Sequence, residues 1–257
     1  MTLRLEKDGS IARILIDRVD KRNAFNQAMW EQFPELLADA MEDDAVRVLI
    51  VSSAARDTAF CAGADIREFA TGSKDPEWRA KNQAAITRVQ HELAHAAKPT
   101  IAVIDGDCVG GGCGIALACD IRFAGPDARF GITPAKLGLV YSLFDTKLLL
   151  DVVGPSQTKR ILFTGQLMNA EEAARIGLIT QLADDPYAEA QELAGSMTSV
   201  SPHSQQESKK IIRRILDGQT ADDADTSALF AAAFDGPDFN EGVSAFLEKR
   251  KAEFAKS

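Results

Sequence analysis

No stretch of the chain approaches the ~18 consecutive apolar residues that a membrane-spanning helix requires. The amino-terminal MTLRLEKDGSIARILID scatters charges where a secretory signal would hold an uninterrupted apolar core, so a cytoplasmic protein without a membrane partner is expected. Positive charge is also in deficit. Against 38 Asp and Glu stand 29 Lys and Arg, a formal net charge of -9. Such a field repels nucleic acid and anionic lipid, which disfavours a nucleic-acid role. Cysteine is scarce: Cys61, Cys108, Cys113 and Cys119 fit no zinc-ribbon spacing, and three of them share one apolar, glycine-rich stretch. Buried, reduced thiols are the expectation. No internal repeat and no low-complexity segment is present.

Histidine is rarer still, with three in the chain, yet two of them form HELAH at His91–His95. The pattern matches HExxH, in which two histidines one helical turn apart hold zinc and the glutamate activates water. The remaining histidine, His203, completes no extended version of the motif, and Lys98-Pro99 closes the segment directly afterwards. A helix without metal is the expectation, and a zinc hydrolase ranks last among the functions considered.

What is present is the composition of a globular protein: 257 residues, 46% hydrophobic and 26% charged, enough to bury a full core. Ile11–Ile16 alternates like a half-buried strand, whereas Val46–Val51 and Thr100–Ile104 read as fully buried strands rich in β-branched residues. Helical spacing runs through Gln27–Asp43, where Met29, Phe33, Leu36, Leu37 and Ala40 recur, and through Pro76–Lys98. Alternating strands and helices imply an α/β architecture. Beyond about Pro155 the pattern becomes helical: Thr158–Leu162, Ala170–Ile176, Tyr187–Val200 and Pro202–Leu216, the last carrying Lys209, Lys210, Arg213 and Arg214 on a face expected to be solvated. An α/β core over residues 1–195 and a helical region over 196–257 follow as the expected organisation.

Two glycine turns share one layout. DTAFCAGADIREFA, Asp57–Ala70, follows the strand near Val51, and DCVGGGCGIALACD, Asp107–Asp120, follows the strand ending at Ile104. A turn between a strand and a helix start aims free N–H groups and the positive end of the helix dipole at one spot. Neither turn is a phosphate loop, because no Lys-Ser or Lys-Thr pair closes it, and Gly110, Gly112 and Gly114 do not make GxGxxG. For either turn alone, close packing explains the glycines as well as ligand binding does. Together they form the arrangement that holds an oxyanion: two N–H donors from two separate turns.

The sequence resembles the crotonase, or enoyl-CoA hydratase/isomerase, superfamily. The resemblance is carried by KRNAFN at Lys21–Asn26, AFCAGADI at Ala59–Ile66, KPTIAVIDGDCVGGGCGIALACDIRFA at Lys98–Ala124, ARFGITPAKLGL at Ala128–Leu139 and FLEKRKAEF at Phe246–Phe254. It implies a superhelix of β-β-α turns followed by a helical trimerisation region, assembled as a homotrimer or a dimer of trimers. It places the oxyanion donors on Ala64 and Gly111 and makes the substrate an acyl-CoA, with CoA a part of the substrate rather than a cofactor. Lys21, Arg22, Ala24, Ala62, Asp65 and Ile66 fall on segments beside the CoA, and Phe246 and Lys249 match terminal residues that reach it, often from a neighbouring subunit. No metal is implied.

The chain departs from the family where hydratases carry two glutamates: the first position is Gly114 and the second Pro134. A positioned acid or base is worth ~10²–10⁴-fold, so their loss argues against ordinary water addition. Thr133-Pro134 and Tyr141 resemble the TPxxLGxxY pattern of the methylmalonyl-CoA decarboxylase branch, whose chemistry needs an oxyanion hole but no base. Tyr141 is then the leading candidate to orient a carboxylate or return a proton, and Thr133 and Ser142 are lesser ones. That branch carries a histidine where Ala64 stands, and packing accounts for Tyr141 equally well. Asp145 is the nearest carboxylate in sequence, suited to helix capping as much as to catalysis. Decarboxylation, double-bond isomerisation and an atypical hydration remain open, beside a non-catalytic binder of CoA thioesters.

Overall fold

The computed structural model describes residues 2–254. It opens with strands β1 (Leu3–Asp8) and β2 (Ile11–Ile16), then helix α1 (Gln27–Glu42) and strand β3 (Val48–Ser53). Helices α2 (Ile66–Gly72) and α3 (Pro76–Ala94) precede β4 (Thr100–Ile104), β5 (Asp107–Val109), α4 (Gly111–Ala118), β6 (Ile121–Ala124) and β7 (Arg129–Gly131). There follow α5 (Leu143–Thr164), β8 (Met168–Asn169), α6 (Ala170–Arg175), β9 (Gln181–Leu182), α7 (Pro186–Met197), α8 (Pro202–Leu216), α9 (Ala224–Ala233) and α10 (Pro237–Glu248).

The main sheet has the order β1-β2-β3-β4-β6-β9, parallel throughout except for the β1-β2 hairpin. Every residue of β3 and β4 is buried, as expected for central strands of a parallel sheet covered on both faces. Alternation then sorts their side chains. Leu49, Val51, Ala102 and Ile104 face the large core beneath α1, α3, α4 and α5, while Val48, Ile50, Ile101 and Val103 face a smaller core closed by Ala190 and Ala194 of α7. A second sheet has the order β5-β7-β8, with β5 and β7 parallel and β7 and β8 antiparallel.

The expected strand Val46–Val51 lies two residues later, at Val48–Ser53, because Ser52 and Ser53 are buried polar positions rather than loop. Ser53 Oγ meets Thr58 Oγ1 at 2.9 Å and accepts from Asn23 Nδ2 at 2.9 Å. The helix expected over Pro76–Lys98 stops at Ala94, where the His95 N–H still donates to the His91 carbonyl but Ala96 turns back to Leu93. Thr158–Leu162 is the end of a longer helix. Gly154-Pro155 looks like a terminus in sequence, yet Gly154 adopts φ 72 and ψ 171 and joins two helical halves across a kink, which glycine tolerates. Lys209, Lys210 and Arg214 are neutralised by Asp120, Glu207 and Asp223, at 2.7, 2.6 and 3.1 Å.

Candidate active site

The two glycine turns lie side by side because the backbone laces them together. Cys61 N–H donates to the Asp107 carbonyl at 3.1 Å, and Val109 N–H donates to the Cys61 carbonyl at 2.9 Å, a parallel bridge between Cys61 and Cys108. The approach demands glycine. A β-carbon on Gly112 would collide with the Cys61 carbonyl, and one on Gly63 would stand 3.1 Å from the Val109 carbonyl oxygen, with Gly63 already at φ +99. The four cysteines are free and buried, and burial pushes the Cys61 thiol up to about 12.

The same lacing frees two amides. Phe25 N–H donates to the Gly63 carbonyl and Asp65 N–H to the Phe25 carbonyl, both at 2.8 Å, so the intervening Ala64 N–H points away from that ladder. Gly110 N–H donates to the Gly131 carbonyl at 2.8 Å, and α4 begins at the next residue, which leaves Gly111 N–H with no intrahelical acceptor. Neither amide has a partner among the described residues. Ala64 and Gly111 both line one pocket of about 200 Å³.

That pocket also gathers Ala62, Ile66, Thr133, Tyr141 and Ser142, so seven of the thirteen expected residues meet in one place. The other six lie elsewhere. The Asp65 carboxylate is engaged structurally: it pairs with Arg18 at 2.7 Å, caps α2 through the Arg67 and Glu68 N–H groups, and is held below the usual carboxylate range chiefly by Arg18. Exposed Lys21 and Arg22 and half-buried Ala24 form a turn joined to the pocket wall through Ala62 N–H, which donates to the Arg22 carbonyl at 3.0 Å. The Arg22 side chain pairs with buried Asp107, which also accepts from Arg129 at 2.7 Å. Phe246 and Lys249, at the end of α10, are exposed and do not line this pocket.

The sequence suggests an acyl-chain pocket lined from Phe69 to Trp78 and near Leu143 and Phe144, and the structure departs from that set. Phe69 lines the pocket with Trp78 packed edge-on behind it at 5.9 Å, but Leu143 is 88% exposed and Phe144 turns away to pack on His91. Leu137, Leu139 and Val140 take their place. The HELAH histidines stack on each other at 4.1 Å, with His95 Nδ1 2.7 Å from the His91 carbonyl oxygen, and Glu92 pairs with Arg88 at 2.7 Å. No grouping of three or more His, Cys, Asp or Glu suited to a metal exists among the described residues.

Three pocket residues carry buried polar atoms without a partner: Gln90 Oε1, Tyr141 Oη and Asp145 Oδ1. Asp145 is 5% exposed. Its Oδ2 accepts from Ser142 Oγ at 2.6 Å, and its N–H donates to the same Oγ at 3.1 Å, so Ser142 both caps α5 and fixes the carboxyl. Burial raises the Asp145 carboxyl above its ordinary range, against the smaller opposing pull of Ser142 and Gln90. Burial raises the Tyr141 hydroxyl too, and Asp145 adds to it. Gln90 was not foreseen in sequence, though Asn82, Ile86 and Gln90 recur four apart on one face of α3. Two amides on a core-facing stripe are the available signal.

A sequence profile described as Enoyl-CoA hydratase/isomerase matches residues 6–257. A short-chain-enoyl-CoA hydratase of Clostridium acetobutylicum is 33% identical, across 98% of this chain and 97% of its own length. The crotonyl-CoA hydratase of Syntrophomonas wolfei is also 33% identical, over 97% and 96%. Among solved structures, one from Hyphomonas neptunium, carrying the name enoyl-CoA hydratase/isomerase family protein, superimposes with a TM-score of 0.97 at 38% identity, covering 100% of this chain and 98% of that one.

Proposed function

The chain belongs to the enoyl-CoA hydratase/isomerase family, and from that premise we propose that it binds an acyl-CoA thioester and stabilises its enolate between the Ala64 and Gly111 N–H groups. The observation that carries the proposal is that these two amides, from two separate turns, are unpartnered and border the same pocket. An enolate forms when electrons from a broken C–H or C–C bond move onto the thioester oxygen. Two preorganised donors lower that barrier, and losing one typically costs ~2.7–4 kcal/mol.

The reaction this reading favours is double-bond isomerisation or decarboxylation. Gly114 and Pro134 stand where the resemblance puts the hydratase glutamates, and neither can hold a water. Tyr141, Thr133 and Ser142 remain at the wall to handle a carboxylate or a proton. The Lys21–Ala24 turn, with Ala62, Asp65 and Ile66, would flank the CoA. An atypical hydration is the second reading, favoured by relatives named as hydratases.

Assembly as a homotrimer or a dimer of trimers fits the apolar surface left on the last helices, where Phe230, Phe246 and Leu247 are 71%, 84% and 74% exposed. Such an assembly would bring Phe246 and Lys249 to a neighbour's site. Light scattering should return three or six chain masses.

A panel of enoyl-, 3-hydroxyacyl-, malonyl- and methylmalonyl-CoA tests the activity. Turnover of 3-enoyl- or malonyl-type thioesters is the expected result. Turnover confined to 2-enoyl- and 3-hydroxyacyl-CoA would establish hydration instead, and binding of the esters without turnover of any would mark a non-catalytic binder.

A further inference from the structure

We propose that Asp145 is the acid–base residue of this site, exchanging a proton through Oδ1 with substrate carbon beside the thioester carbonyl. The inference rests on the acyl-CoA reading above and adds the residue that moves the proton.

Four observations converge on Asp145. Its two oxygens are used differently: Oδ2 is anchored by Ser142, and Oδ1 meets no partner in hydrogen-bond geometry, with the Gln90 amide near it, although the side chain is almost wholly buried. A buried oxygen left unpaired costs free energy unless something bound supplies the partner. The residue borders the same pocket as the two free amides. It also faces α4 at a defined height, for a β-carbon built on Gly114 would stand 3.3 Å from Oδ1. Gly114 follows Gly111 by three residues, so the carboxyl lies about one helical turn along α4 from the amide that receives the oxyanion. That is the reach from a thioester oxygen to the first carbons of its acyl chain.

The neighbours suit the task. The Gln90 amide flanks the same point from α3, with Oε1 unpaired, and the buried, unpaired Tyr141 hydroxyl in the loop before α5 feels the Asp145 charge. Burial, Ser142 and Gln90 act on the Asp145 carboxyl, and no cation is among them. Its charged form is therefore penalised by burial and only weakly relieved, which makes the carboxylate a stronger base than a surface aspartate and its acid form persistent. Asp145 serves the site as Ser142 and Tyr141 alone could not, because a hydroxyl deep in the protein releases its proton far less readily than a carboxyl.

The step balances without a co-reactant. Asp145 carboxylate takes the proton of a C–H bond next to the carbonyl; the electron pair of that bond becomes the enolate double bond, and the carbonyl π pair moves to the oxygen held by Ala64 and Gly111. In reverse, the carboxylic acid returns its proton to the same carbon or, in an unsaturated chain, to one further along.

The test is hydrogen–deuterium exchange at the α-carbon of butyryl-CoA in heavy water, followed by mass spectrometry, with binding measured by calorimetry. The native protein should bind and exchange. Asp145→Asn, nearly identical in shape, should keep its dissociation constant within about threefold and lose at least 100-fold in exchange, within the range for a positioned base. Asp145→Glu should retain more exchange than Asp145→Asn, which a merely structural role would not produce. Exchange by Asp145→Asn within tenfold of native overturns the assignment, as does a native protein that binds butyryl-CoA and exchanges nothing. A native protein that fails to bind butyryl-CoA or any other acyl-CoA sinks the acyl-CoA reading itself, a distinct result. Circular dichroism of the variants establishes that they are folded.

Discussion

Gly114 packs directly against Asp145: a β-carbon at residue 114 would stand 3.3 Å from Asp145 Oδ1 and would collide with the Gln90 amide nitrogen. The space a larger residue would claim is already divided between a carboxyl from α5 and an amide from α3. The absence of a side chain at this position is therefore a condition for the present site.

Gly114→Ala tests that relationship. Helix propensity favours alanine by about 1 kcal/mol, but overpacking typically costs ~1–3 kcal/mol, so a net loss of stability is expected. Adding Gln90→Ala should remove the clash and give a coupling of at least ~0.5 kcal/mol in a double-mutant cycle of denaturant unfolding. Strict additivity would show that Gln90 does not occupy the space.

At the proposed oxyanion donors, Gly111→Pro removes one N–H. Proline is suited to the first residue of a helix, so the fold should survive. Since any β-carbon here meets Trp30 at 2.9 Å, Gly111→Ala is the control that adds the same contact and keeps the donor. The proline variant should turn over ~10²–10³-fold more slowly than the alanine variant. Equal rates in the two would remove Gly111 from the hole.

Tyr141→Phe should lower the catalysed rate at least tenfold while leaving KM nearly unchanged, because the hydroxyl is buried and unpartnered at the pocket wall. An unchanged rate assigns the ring to packing.

For Asp145 the sign of the pH effect follows from the raised carboxyl. The folded state holds this proton more tightly than the unfolded chain, so its contribution is fully present below the ordinary carboxylate range and is lost as pH rises through the folded value. Asp145→Asn, which never ionises, should therefore gain stability relative to the native protein as pH climbs from about 4 toward neutrality, a window set by the ordinary carboxylate value. Urea midpoints across that range provide the check, and a gain that is independent of pH would contradict the raised value.

Where a signal was repeated along the chain, the sequence disclosed the structure. The β-branched run Thr100–Ile104 and the helix Pro202–Leu216 lie where their patterns place them, and the two glycine turns lie side by side, each with an unpartnered amide. Gln90 was hidden for a different reason, and so was the burial of Asp145, which was legible as a helix cap or a catalytic carboxylate but whose capping role is taken by Ser142. Gln90 and Asp145 are 55 positions apart, and nothing local in VYSLFDT announces that α5 begins at Leu143 or that its first turn aims a carboxyl inward. Gly154-Pro155 disguised the helix further by looking like its boundary. Their pairing across Gly114 is a product of packing between α3, α4 and α5, which periodicity cannot report.

The bridge between Cys61 and Cys108 has a consequence for how such a site can diverge. The turns that carry the two amides are joined by the main-chain hydrogen bonds of a parallel bridge, whose spacing, about 4.8 Å, is a property of the peptide unit and not of any side chain. Substitutions at Leu137, Val140, Tyr141 or Asp145 can remodel what the pocket admits and where protons go without changing the gap between Ala64 and Gly111. On the proposed reading, electrophile activation and reaction choice are encoded in separable parts of the chain, and the second can drift while the first is inherited intact.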